Sequence, residues 1–176
     1  MLGLDRKSVK LVSHKKEWKT LFEREEKLLR DALGRLALAV EHIGSTAIPE
    51  IKAKPIIDIM VGVRDLPDVE KCLSPLEKIG YEYLGEMGVA GRHYFRKGTS
   101  TISTHHLNIV ELGGDFWKNH IFFRDYLREN AEAARQYDKL KNDLATKYKD
   151  NRESYTDGKT EFVGEILQKS NFSAQN

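Results

Sequence analysis

The residues with chemical potential lie in two short stretches. The first, "GSTAIPEIKAKPIIDIM", runs from Gly44 to Met60, and the second, "THHLNIVE", runs from Thr104 to Glu111. In the first, Gly44 allows close backbone approach, while Ser45 and Thr46 place hydroxyls beside free N–H groups, a suitable cradle for phosphate. Lys54 adds a positive charge and Pro55 stiffens the entry into an apolar run that contains one acid, Asp58. A phosphate cradle followed by a carboxylate in a β run is the outline of an anion-plus-metal pocket.

Strand side chains alternate faces, so Ile57, Ile59, Val61 and Val63 form one face and Asp58, Met60 and Gly62 the other. The branched residues read as core. Asp58 then points to a concave or solvent-reached surface, since an unpaired buried carboxylate is very costly. In the second stretch Leu107 and Ile109 take the core face, which leaves His106, Asn108 and Val110 opposite. Adjacent His105 and His106 cannot share a pocket, and the expectation is His106, with Asn108 beside it. Asp58 and His106 could together hold one metal ion, and an imidazole ligand favours zinc or manganese over magnesium.

Each residue has a structural alternative. Asp58 also fits a buried acid paired to Lys54 or an arginine. The Gly44–Thr46 turn fits a plain cap or turn. Arg92 fits a phosphate contact or a solvated edge charge. Arg124, Tyr126, Lys141, Tyr155 and Lys159 read first as structural residues of the helical part, with substrate contact as the alternative.

The elements that must position these groups follow from periodicity. Trp18 to Leu36 recurs at three- and four-residue steps, which predicts an amphipathic helix, and Leu66 to Ile79 predicts a second one stopping at Gly80. Strands are expected at Leu38–Ile43, Ile56–Val63, Tyr81–Leu84, Gly91–Arg96 and Ile102–Glu111. From Asp115 onward the signals are helical, with Asp115 and Asn130 as expected caps and a last helix over Lys159–Lys169. The fold class is α+β: a mixed sheet flanked by helices over residues 1–112, a helical C-terminal part over 113–170, and a frayed tail at 171–176.

Bulk properties narrow the functions. The chain has 176 residues and a formal charge of +2, too balanced for wholesale nucleic-acid binding. Cys72 is the lone cysteine, so an internal disulfide or a cysteine-cluster metal site is excluded. No run of eighteen apolar residues and no leader pattern occurs, so a soluble cytoplasmic protein without membrane contact is expected.

The stretch "EHIGSTAIPEIKAKPIIDIMVGV" resembles the signature of the GrpB-like family, a branch of the nucleotidyltransferase superfamily with a polymerase β-like fold. The similarity extends through "HHLNIVE", "FRDYLREN", "YDKLKNDLA" and "YTDGKTEFV". Some relatives are joined to a dephospho-coenzyme A kinase, which points to nucleotide metabolism. The superfamily pattern is a Gly-Ser turn, then acid-x-acid on a strand, then a third acid on a later strand. Gly44, Ser45 and Asp58 match it, whereas Met60 stands at the second acid position and cannot ligate a hard cation.

The resemblance implies a divalent metal cofactor, magnesium or manganese with zinc as the alternative, on Asp58 and His106 as catalytic residues. Gly44, Ser45, Thr46, Lys54, Arg92 and Asn108 are the expected substrate contacts. The expected function is binding of a nucleotide or phosphorylated small molecule, with nucleotidyl or phosphoryl transfer as its enzymatic form. The alternatives are a non-catalytic phosphate-binding module that lost the two-metal site, and a structural or interaction protein.

Overall fold

In the computed structural model, which describes residues 2–173, a mixed six-stranded sheet forms the centre of the fold. Its strands in chain order are β1 (Leu4–Asp5), β2 (Ala39–Ile43), β3 (Ile57–Val63), β4 (Tyr81–Tyr83), β5 (His93–Gly98) and β6 (Ile102–Glu111). Across the sheet the order is β2-β3-β6-β5-β4, and β1 pairs with the start of β6. Among the described residues β3 and β6 are the one parallel pair. That pair is central and mostly covered on both faces, which is why β3 reads as a near-continuous apolar run.

The helices are α1 (Glu17–Leu33), α2 (Val69–Lys78), α3 (Asp115–Glu129), α4 (Ala131–Lys147), α5 (Arg152–Asp157) and α6 (Thr160–Ser173). Trp18, Leu29 and Leu33 of α1 and Val69, Cys72 and Leu76 of α2 are buried against Ile57, Ile59, Val61, Leu107 and Ile109. Burial of one such side chain is worth about 1.5–3 kcal/mol, so this layer carries most of the stability. The expected parity of β3 and β6 holds, with the branched residues turned toward α1 and α2.

The opposite face is covered only in part. Phe116, Trp117 and Ile121 of α3 pack on Ile43, Met60 and Val110. Gly62 makes this docking close, because a Cβ there would lie 3.0 Å from the Trp117 ring. Leu127 of α3, Ala134 and Tyr137 of α4 and Ile166 of α6 extend the layer and pack with Ile48 and Ile51 of the loop before β3. The beginning of β3 and the middle of β6 stay beyond the reach of α3. Asp58 and His106 sit there.

Several local expectations shift. Strand β1 is too short, and α5 too brief and polar, to leave a periodic signal, and both were missed. Asn130 stands at the cap position of α4 as expected, but its side-chain amide donates back to Tyr126 O at 2.9 Å and so closes the end of α3. Gly114 takes the cap position before α3, and Asp115 stands in the first turn. Helix α6 runs through Ser173, into the segment expected as a tail, and residues 174–176 lie outside the described residues.

Candidate functional site

Asp58 and His106 are register partners on the parallel strands β3 and β6. His106 Nδ1 lies 2.9 Å from Asp58 Oδ1. Burial pushes the Asp58 carboxyl up, but the His106 hydrogen bond and the charges of His106, Lys54 and His42 outweigh it and hold the group below the usual carboxylate value. An ionised carboxylate only accepts, so His106 donates from Nδ1, and its Nε2 lies 3.4 Å from Arg152 Nη2. The Asp58 side chain lies deep in the protein volume yet keeps 34% of its accessible surface. It forms the floor of an open recess.

Gly44 is required by this carboxylate. Its φ is +70°, and a Cβ there would come within 2.5 Å of Asp58 Oδ2. The close approach expected of a ligand is made by Asp58 itself.

The walls of the recess are cationic. Lys54 enters from the loop before β3, Arg152 from α5, and Lys159 from the junction of α5 and α6. Tyr155 stands between the two lysines, with the Lys54 ammonium 5.3 Å and the Lys159 ammonium 4.5 Å from its ring centroid. Among the described residues neither lysine makes an ion pair with a carboxylate. Burial, reinforced by Arg152 and Lys159, pushes the Lys54 amine down to about 7. Burial and Arg152 bring Lys159 to about 8, against the pull of Asp58. Lys141, packed over the Tyr137 ring at 5.0 Å and donating to Lys52 O, is likewise lowered to about 8 by burial.

The other expected contacts divide. Ser45 lies beside the Tyr137 hydroxyl. Thr46 is buried, with Oγ1 2.9 Å from His42 Nε2. Asn108 donates to Ile59 O at 3.3 Å and ties the two central strands together. Arg92 donates to Glu86 O and Met87 O, both at 3.0 Å, and lies over the Tyr94 ring, so it pins the β4–β5 loop. Tyr94 in turn packs on His106 with ring centroids 5.6 Å apart. Lys54 is the expected contact whose charge remains available. Arg152 was missed altogether, because nothing in the spacing of a short polar helix marks it.

The donor set does not fit a two-metal centre. Met60 is fully buried with Ile43 and Val110 under α3. Asp58 Oδ1 and His106 Nδ1 face each other rather than a common point. Among the described residues no three His, Cys, Asp or Glu side chains converge on a position that could hold an ion.

A groove of about 880 Å³ lies elsewhere, between α1, β2 and α3, and does not include Asp58. His42 forms part of its floor, stacked on Phe22 at 4.7 Å and pushed by burial to about 4. Arg124 there reaches Glu41 at 2.6 Å, Asp125 at 2.7 Å and His42 O at 3.1 Å. Its central cation pairs with carboxylates of the protein, whereas Lys54 and Lys159 form no ion pair among the described residues. Chemistry therefore favours the Asp58 recess.

The sequence model of the GrpB protein family matches residues 8–169. The chain belongs to the GrpB family. It is 44% identical to the glutamate-rich protein GrpB of Alkalihalophilus pseudofirmus over 171 residues, covering 95% of this chain and 98% of that one. It is 37% identical to the UPF0157 protein YqkA of Bacillus subtilis, covering 90% of this chain and 46% of that longer relative. The crystal structure of GrpB from Enterococcus faecalis superposes with a TM-score of 0.86 at 37% identity, over 95% of this chain and all of the other. A dephospho-CoA kinase of Mycolicibacterium paratuberculosis shares 38% identity over 82 residues, 45% of this chain and 20% of the kinase. Among the described residues of this GrpB-family chain no helix is long and apolar enough to cross a membrane.

Proposed function

We propose that this GrpB-family chain binds a phosphorylated small molecule of the nucleotide class in the Asp58 recess. The observation that carries the reading is the convergence of Lys54, Arg152 and Lys159 around a single carboxylate. Buried cations without counterions are costly, and a phosphate supplies the missing negative charge with acceptor oxygens for each of them. The Gly44–Ser45 turn, the mixed sheet and Asp58 on its central strand support a nucleotidyltransferase-like reading of the fold. The similarity to part of a dephospho-CoA kinase makes coenzyme A precursors sensible test ligands. Nucleotidyl or phosphoryl transfer is the second reading, supported by the Asp58–His106 pair and opposed by the buried Met60.

Calorimetry with AMP and adenosine tests the binding reading. AMP should bind and adenosine should not. Lys159→Met should weaken AMP by roughly ten- to a hundredfold, the effect of losing one charged hydrogen bond of about 1.5–3 kcal/mol. Equal affinity for AMP and adenosine would remove the phosphate from the reading.

A further inference from the structure

We infer that the recess holds the phosphate of its ligand directly on Lys54, Arg152 and Lys159, with no divalent metal between protein and ligand. This deepens the phosphate-binding reading and rests on it.

Three observations carry the inference. The first is charge. Arg152, Lys159 and a partly protonated Lys54 face the one carboxylate of Asp58, which leaves a local excess of one to two positive charges at neutral pH. A phosphomonoester carries about −1.5 to −2 at neutral pH and balances that excess unaided. A divalent cation added beside it would restore the imbalance that the ligand removes.

The second is the donor set. A metal that bridges phosphate to protein needs carboxylates. Asp58 is the sole one on this face at the start of β3, and its Oδ1 already accepts from His106. The next outward position on the strand, Met60, is sealed under α3 with Phe116 and Trp117.

The third is placement. Both lysines lie against one ring, Tyr155, and Arg152 reaches His106, so the three cations gather about Asp58, whose charge Lys54 and Lys159 both feel. The C-terminal helices thus bring fixed cations to the place where a metal-dependent site would hold mobile ones. An ammonium or guanidinium carries its charge on the chain and takes no ligand position on Asp58.

AMP is a suitable probe, since its phosphomonoester carries the charge of about −1.5 to −2 on which the balance rests. Its affinity for the full chain is measured by calorimetry in EDTA and again in excess Mg²⁺, for the parent, Asp58→Asn and Lys159→Met. The expected result is binding in EDTA that Mg²⁺ does not tighten. Asp58→Asn should bind as tightly as the parent or up to about tenfold tighter, because it removes the one repelling charge. Lys159→Met should bind about ten- to a hundredfold more weakly. Binding that appears only with Mg²⁺ and vanishes in Asp58→Asn overturns the metal-free clamp while leaving phosphate binding standing. Binding in neither condition, with circular dichroism showing the proteins folded, overturns the phosphate reading as well.

Discussion

Asp58 and His106 stand directly opposite one another on the parallel strands β3 and β6, with Oδ1 and Nδ1 2.9 Å apart. The carboxylate therefore serves two ends. It fixes the imidazole with Nδ1 as donor, and it is the near counter-charge for Lys54, Arg152 and Lys159.

Asp58→Asn keeps the shape but removes the charge. Losing a charged acceptor costs about 1.5–3 kcal/mol, reduced here to about 1–2 kcal/mol because solvent reaches the recess. Urea unfolding should show this loss. Adding AMP should restore part of it, since an anion replaces the missing counter-charge. A variant as stable as its parent would mean that water alone neutralises the three cations.

Lys54 should oppose folding. Burial lowers its amine from 10.5 to about 7, so between those values the unfolded chain binds more protons than the folded one. Stability then rises with pH through that window and is lost as pH falls through about 7. Lys141 and Lys159, both near 8, push the same way, so the diagnostic is a difference in slope. Lys54→Met should raise stability at pH 7 by about 1–4 kcal/mol and flatten its rise toward pH 9. A parallel pair of stability–pH curves would show that the ammonium is solvated after all.

The alternation of β3 and β6 was legible in the sequence, because the branched residues fix which face is core and so place Asp58 and His106 together opposite it. What the sequence does not disclose is who fills the rest of the recess. Arg152 and Tyr155 lie on a six-residue helix without a usable period, and Lys159 follows at its end. Their convergence on Asp58 depends on how α4 turns into α6, a tertiary fact. Arg92 and Asn108 have the right types for ligand contacts, yet both spend their donors on the backbone, which no spacing reveals. The Gly44 signal marks a close approach, and within the chain Asp58 is the neighbour that makes it.

Acid should unfold the protein through its buried imidazoles. Burial holds His42 and His105 near 4 instead of 6.5. Below 6.5 the unfolded state takes up protons that the folded state refuses, so stability present above 6.5 is lost as pH falls toward 4. The loss is on the order of 3 kcal/mol for each ring. His105→Gln removes one titrating group beside Glu25 and should make thermal melting less sensitive between pH 6.5 and 4.5. An unchanged pH profile in that variant would shift the acid sensitivity to His42.

Gly44→Ala tests the contact beneath the site. Two penalties combine there: a φ of +70°, and a Cβ within 2.5 Å of Asp58 Oδ2. Gly34 provides the control, with a φ of +53° and nothing within 4 Å of its Cβ. Gly34→Ala should cost about 1–3 kcal/mol, the cost of holding alanine in a sparsely populated glycine conformation alone. Gly44→Ala should cost about 1–3 kcal/mol more, since it forces the carboxylate off its rotamer or the strand away from the turn. The displaced Asp58 should also release His106, visible as a change in the imidazole nitrogen shifts by NMR. Equal costs for the two alanines, with the His106 signals unmoved, would mean that Asp58 is free to swing aside and that Gly44 serves only the turn.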